Sequence, residues 1–138
     1  MSTQLAQEYL ASSHIAKERP KSALVSPVPL FGTWKNINSA TRDLIKITIT
    51  GTVTGIAVET FGACSPTPCK WGTVMGLAYT SSVNVSPAVA FTAQYTFSFA
   101  HVILMGYLHG RELLVETFTQ FTDGSGRSNL YTSDTMIK

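Results

Sequence analysis

The sequence has little charge. Asp, Glu, Lys and Arg make up 13% of its 138 residues, against about 25% in ordinary globular chains. The ten Lys and Arg are scattered without a basic run and the formal net charge is +2, so no electrostatic footprint for a nucleic acid exists. No apolar stretch reaches the roughly 20 residues of a membrane span, and no membrane partner is expected. Residues 1–7 lack a basic region followed by an apolar core, so no secretory signal is visible and a cytoplasmic chain is expected. Cysteine is scarce, with only Cys64 and Cys69. A structural zinc site wants four ligands, and no second cysteine pair supplies them. The three histidines, His14, His101 and His109, do not help. The last two are eight residues apart, about 26 Å along one strand, too far to share a metal. No Ser/His/Asp set stands in motif context and no glycine-rich loop follows a strand to open a helix. Neither metal nor cofactor is expected.

What the sequence does have is alternation. Hydrophobic residues make up 44%, and from residue 44 onward they alternate with Thr, Ser and a few charges at period two, the pattern of half-buried strands. Residues 44–50 place Ile45, Ile47 and Ile49 on one face and Lys46, Thr48 and Thr50 on the other; the three isoleucines are expected to point inward. Residues 91–99 place Phe91, Ala93, Tyr95, Phe97 and Phe99 together. Further strands are expected at 31–36, 55–61, 71–79, 101–108, 112–121 and 129–137, joined mostly by short turns. His109-Gly110 or Gly110-Arg111 supplies a tight hairpin, and Asp123-Gly124-Ser125-Gly126 a second turn. Eight strands is the number at which an up-and-down meander closes around side chains or one small ligand, and closure removes unpaired edges. The expected fold is therefore all-β: an antiparallel eight-stranded up-and-down barrel over residues 30–138. Residues 1–29 precede it as a short helix within 2–16, or a frayed tail, and an extended connector broken by Pro20, Pro27 and Pro29. Residues 101–108 are apolar on both faces, with Val102, Leu104 and Leu108 opposite Ile103, Met105 and Tyr107. One face enters the core. The other needs cover from the N-terminal segment or a second subunit, so a homo-oligomer is expected.

Gly32 lets the backbone pass closely at the start of the first strand, and Trp34 offers one large ring to plug a barrel end or to stack on a ligand. This opening, the count of eight strands and a final strand at the C-terminus resemble the calycin-type barrels: lipocalins, fatty-acid-binding proteins and avidin-like proteins. Gly32-Thr33-Trp34-Lys35-Asn36 is similar to the opening of the avidin-like group. The stretches from Trp34 to Arg42 and from Phe61 to Gly72 resemble small bacterial barrel domains without assigned activity. The resemblance implies a ligand-holding barrel and names no chemistry.

The candidate site residues come from the rings and the few titratable groups. Trp34, Trp71, Tyr95, Phe97 and Tyr131 are candidate ligand contacts, Tyr95 being best placed to send a hydroxyl into a cavity. Arg127, after the double-glycine turn, is a candidate at an open end. Glu59 and Glu116 sit in strand interiors, either on a solvated face or inside a polar cavity, where each would be a natural general acid or ligand anchor. His101 is a candidate base at a cavity mouth, or a surface histidine. Cys64-Ser-Pro-Thr-Pro-Cys69 is a stiff loop that either closes a disulfide or packs two reduced thiols; both readings are structural, holding Trp71 at the rim.

Three functions fit these features. One is binding of a small, partly apolar ligand inside the barrel. Another is a cofactor-free barrel enzyme, a cyclase or isomerase acting on a hydrophobic natural-product-like substrate, in which an acid or tyrosine moves a proton. The third is a self-associating structural domain. A hydrophobic pocket favours the first, a buried Glu–Tyr or Glu–His pair the second, and a filled barrel with an apolar outer face the third.

Overall fold

The computed structural model describes residues 24–64 and 67–138. Eight strands close into one antiparallel barrel in sequence order: β1 (Gly32–Asn36), β2 (Leu44–Gly51), β3 (Ile56–Gly62), β4 (Cys69–Thr80), β5 (Ala88–Thr96), β6 (Ala100–His109), β7 (Glu112–Phe121) and β8 (Leu130–Ile137). The meander closes where Lys35 and Asn36 of β1 pair with Ile137 and Met136 of β8. The expected fold class and strand order are what the chain forms. The helix expected within residues 2–16 lies outside the described residues.

Alternation assigns the faces. Ile56, Val58 and Thr60 of β3, Phe91, Ala93 and Tyr95 of β5, Val102 and Leu104 of β6, and Leu113, Val115 and Thr117 of β7 are all buried in the interior. Burying the Val, Leu, Ile and Phe side chains among these, at roughly 1.5–3 kcal/mol each, is what closes the sheet on itself. Bulges override simple parity in three strands, β2, β4 and β5, the last where Val89 is left out of register opposite Tyr79 and Thr80. In β2, Leu44 and Lys46 pair with successive residues of β3 and leave Ile45 out of register. Leu44, Ile47 and Ile49 are thus the buried set and Ile45 is half-buried, which corrects the expected trio. A bulge inserts one extra residue and re-aims its side chain.

The two ends differ. At the closed end, a 3-10 turn at Val28–Leu30 brings Leu30 under Trp34, whose indole N–H donates to Leu30 O at 2.9 Å. Trp34 is 2% exposed. The connector before it is fastened by Ser26 N–H to Ser86 O, 2.7 Å, and Ala88 N–H to Ser26 O, 2.9 Å. Lys138 reaches across from the end of β8, with Nζ 4.9 Å from the Trp34 ring centroid and donating to Phe31 O at 3.0 Å. The other end carries the β3–β4, β5–β6 and β7–β8 connections and stays open.

Candidate functional site

The interior changes chemistry along the barrel axis. On β7 the inward positions run Leu113, Val115, Thr117, Thr119 from the closed end to the open end; on β8 they run Met136, Asp134, Thr132; on β3, Ile56, Val58, Thr60; on β1, Trp34 and then Asn36. Each series passes from apolar to polar. On β4, β5 and β6 the same end stays apolar, with Trp71, Phe97, Ala100 and Val102. The cavity at the open end, about 480 Å³, therefore has one wall of hydroxyls and one of rings, and Thr117, Thr119, Thr132, Trp71, Phe97 and Phe99 line it. That volume suits one small molecule. A hollow of about 550 Å³ beside Trp34, Arg111 and Lys138 lies outside the closed end, away from any inward-facing polar group.

The ring wall is built by a second bulge. Thr60 pairs with Gly72 and Phe61 with Lys70, so Trp71 has no partner on β3. Gly72 accommodates this with φ +93°, a conformation a side chain resists. Trp71 is thereby turned off the outward row of Thr73, Met75, Leu77 and Tyr79 and into the cavity. Its indole lies across Gly62, where a Cβ would come within 2.7 Å of Nε1. Trp71 meets Tyr95 edge-on at 5.4 Å and Phe97 at 5.7 Å. Tyr95, Phe97 and Phe99 stack at 5.6 and 5.3 Å, a column of rings from the core to the rim. The Cys64–Cys69 disulfide, Cα–Cα 5.4 Å, clamps the β3–β4 loop beside it.

The polar wall contains atoms without partners. Thr117 is 4% exposed, and its Oγ1 has no hydrogen-bond partner among the described residues. The same holds for Asp134 Oδ2. The other carboxylate oxygen, Oδ1, accepts from Asn36 Nδ2 at 2.9 Å, and that amide also donates to Leu44 O at 2.8 Å. Asn36 is fixed in turn, since its Oδ1 accepts from Asn38 N–H at 2.8 Å. Burial pushes the Asp134 carboxyl above the usual range; the Asn36 bond opposes this and nearby Asp43 adds to it. Asp134 is not among the residues that line the cavity; its carboxyl can accept one further hydrogen bond or hold a proton itself.

Tyr95 is spent on structure. Its hydroxyl lies 2.7 Å from Gly72 O and 3.1 Å from both Val58 O and Thr60 Oγ1, tying β5 to β3 and to the bulge of β4. Burial holds its proton on, above the ordinary tyrosine range.

Of the residues singled out from the sequence, Trp71, Phe97 and Tyr95 meet at the cavity, although only the first two line it. Trp34 plugs the opposite end. Glu59, Glu116, His101 and Tyr131 face outward. Glu116 accepts from the Tyr131 hydroxyl at 3.1 Å, and His101 Nδ1 is 3.4 Å from Thr96 Oγ1. None of these four lines the open-end cavity. Arg127 is held in its own turn: it pairs with Asp123 at 2.8 Å and sits 4.0 Å over the Phe121 ring. Hydrogen bonds from Ser125, then the Arg127 pair, bring Asp123 down to about 2. The sequence reading passed over Asn36, Thr117, Thr132 and Asp134. The signal was threonine or aspartate at inward parity, at the same end of neighbouring strands.

The chain matches no protein-family model, no curated protein and no solved structure.

Proposed function

We propose that this chain binds a small, partly apolar molecule in the open end of the barrel. The rings of Trp71, Phe97 and Phe99 would take its apolar side, and Thr117, Thr119 and Thr132 would meet its hydrogen-bonding groups. The observation that carries this reading is Thr117, which lines a cavity of ligand size and whose buried hydroxyl has no partner among the described residues. A buried polar group left unpaired costs about 1–3 kcal/mol. A chain retains such a cost where function requires it. The closed barrel and the Gly32-Thr33-Trp34-Lys35-Asn36 opening are compatible with a calycin-like relation.

The test is native mass spectrometry of the full chain purified gently from its own cells. A bound mass should be retained by the wild type and lost or weakened in Thr117→Val and Trp71→Ala. Retention of the same mass by both variants would place the ligand elsewhere, and a wild type without bound mass at any purification stage would remove the support for a ligand.

Catalysis is the second reading, favoured by the Asp134 carboxyl, which Asn36 holds at the polar end of the interior with Oδ2 unpaired and which burial raises above its usual range. This assigns the proton-moving role to Asp134 and not to Glu59 or Glu116. Turnover of a hydrophobic cyclase or isomerase substrate that survives Asp134→Asn unchanged would refute that role.

A further inference from the structure

One corner of the open-end cavity offers hydrogen-bond donors without acceptors. It lies where β2, β3 and β4 meet the rim. Gly62, at the end of β3, pairs with Leu44 on one side and with Cys69 on the other. Arg42 precedes Leu44 by two residues and Lys70 follows Cys69, so both cations come to this corner from the neighbouring strand ends, and both line the cavity. The N–H edge of the Trp71 indole lies across Gly62 between them. The Trp34 indole has its acceptor in Leu30 O. Trp71 Nε1 has no such partner among the described residues, and the ion pair found among them, Arg127 with Asp123, takes in neither Arg42 nor Lys70. Indole N–H, guanidinium and ammonium are donors only. Asp43 is the one carboxylate among the lining residues, so cations outnumber it two to one.

We propose that the molecule bound in the open end carries a carboxylate and docks it at this corner, so that the ligand class is a small aromatic or alicyclic monocarboxylate. The proposal rests on the open-end binding reading above. An ionised carboxylate is an acceptor on both oxygens and takes two N–H groups of one guanidinium at once. The Trp71 N–H supplies a further donor at the same place, and the Lys70 ammonium a further positive charge. From there the body of the molecule meets Trp71, Phe97 and Phe99, the ring wall of the same cavity. A hydroxyl of the same shape would find the donors without the charge. An ammonium would bring donors to donors. Hydrogen bonds between ionised partners are about twice as strong as neutral ones, so ligands of one shape should be sorted here by their charge.

The experiment titrates the ligand-stripped full chain with three probes of one shape, naphthylacetate, naphthylethanol and naphthylethylamine, by ligand-observed NMR at about pH 7, where the first is an anion and the last a cation. Naphthylacetate should bind about tenfold more tightly than the alcohol, and the amine more weakly than either. Added salt should narrow the gap between acid and alcohol. Arg42→Gln should bring the acid down to the level of the alcohol and leave the alcohol unchanged. Lys35→Gln, which removes a cation from the outer wall of β1, should change none of the three. If Arg42→Gln does not fold, Lys70→Gln and the salt dependence carry the test. An alcohol or amine that binds as tightly as the acid overturns the proposal and leaves the open-end reading standing. So does an acid preference that persists in folded Arg42→Gln and Lys70→Gln. If none of the three binds, the proposal fails, and the open-end reading is then decided by the copurified mass in wild type and Thr117→Val.

Discussion

Replacing Thr117 by valine separates a hydroxyl kept for a ligand from one kept for the fold. The side chain is 4% exposed and its Oγ1 lacks a protein partner. Valine has nearly the same shape and suits a strand at least as well, so the change removes a hydroxyl and little else. In ligand-stripped protein the buried, unpaired hydroxyl is a cost of about 1–3 kcal/mol. Part of that is relieved by imperfect packing of the new methyl, leaving a stabilisation of about 1 kcal/mol. For a domain of this size that raises the melting temperature by about 3–5 °C. Ligand binding should move the other way, weakening about tenfold for the loss of one hydrogen bond. The assay is a pair of measurements on each protein: urea unfolding after stripping any ligand, and retention of the copurified mass. Gain of stability with loss of affinity supports the reading. If valine instead destabilises the stripped protein by 1 kcal/mol or more, the hydroxyl is serving the fold, most simply through a bridging water, and the argument from an orphaned polar atom fails.

Tyr95→Phe should cost about 1–2 kcal/mol, because the Gly72 carbonyl and Thr60 hydroxyl lose a shared partner inside the barrel; an unchanged melting temperature would contradict the structural role. Burial raises the folded Asp134 carboxyl above its unfolded value, so its contribution to stability is present below the unfolded pKa and lost as pH rises through the folded one. Wild type should therefore gain stability relative to Asp134→Asn between about pH 7 and about pH 4, and a flat difference in urea midpoints would refute the shift. Replacing Cys64 and Cys69 together by serine should cost about 2 kcal/mol, the low end expected for so short a closed loop. Much of the ligand retention should survive; complete loss at an unchanged melting temperature would make the loop part of the site.

The barrel was legible because alternation at period two survives in almost every strand. β7 begins and ends where its residues alternate, and in β6 the doubly apolar stretch divides as expected, with Val102 and Leu104 inside and Ile103 and Tyr107 outside. Parity failed where a bulge added a residue. Ile45 and Trp71 each shift off the row their numbering suggests, and nothing in the local composition of β2 marks that shift. In β4 the large residues Met75, Leu77 and Tyr79 face out, and the small Gly76 and Ala78 face in. Ile56, Val58 and the Thr92 carbonyl crowd the interior there and leave Gly76 no room for a Cβ, as the Phe91 ring does at Gly106. Which face is inner is a property of the whole ring of strands, and one strand cannot reveal it. The site was harder still. Threonine on a strand looks like a solvated face, and only the closed topology shows that Thr117, Thr132 and Asp134 share one end of the interior.

That gradient also bears on how the barrel tolerates its own open end. The closed end holds Trp34 and Leu30, each nearly or wholly buried, and the Trp34 indole has its hydrogen bond. Ile47, Ile49, Ile56, Val115 and Met136 pack the layers next to it. These layers supply apolar burial with no polar cost. The open end gives part of that back through an unpaired hydroxyl and a half-paired carboxylate, and a disulfide and a column of rings hold its rim. A domain has only about 5–15 kcal/mol of net stability to lose, so two orphaned polar atoms are a substantial fraction of it. Their placement at one end and on adjacent strands, with Thr117 among the residues that line the cavity, is therefore better explained by selection for contact with a molecule at that end than by neutral drift in a core.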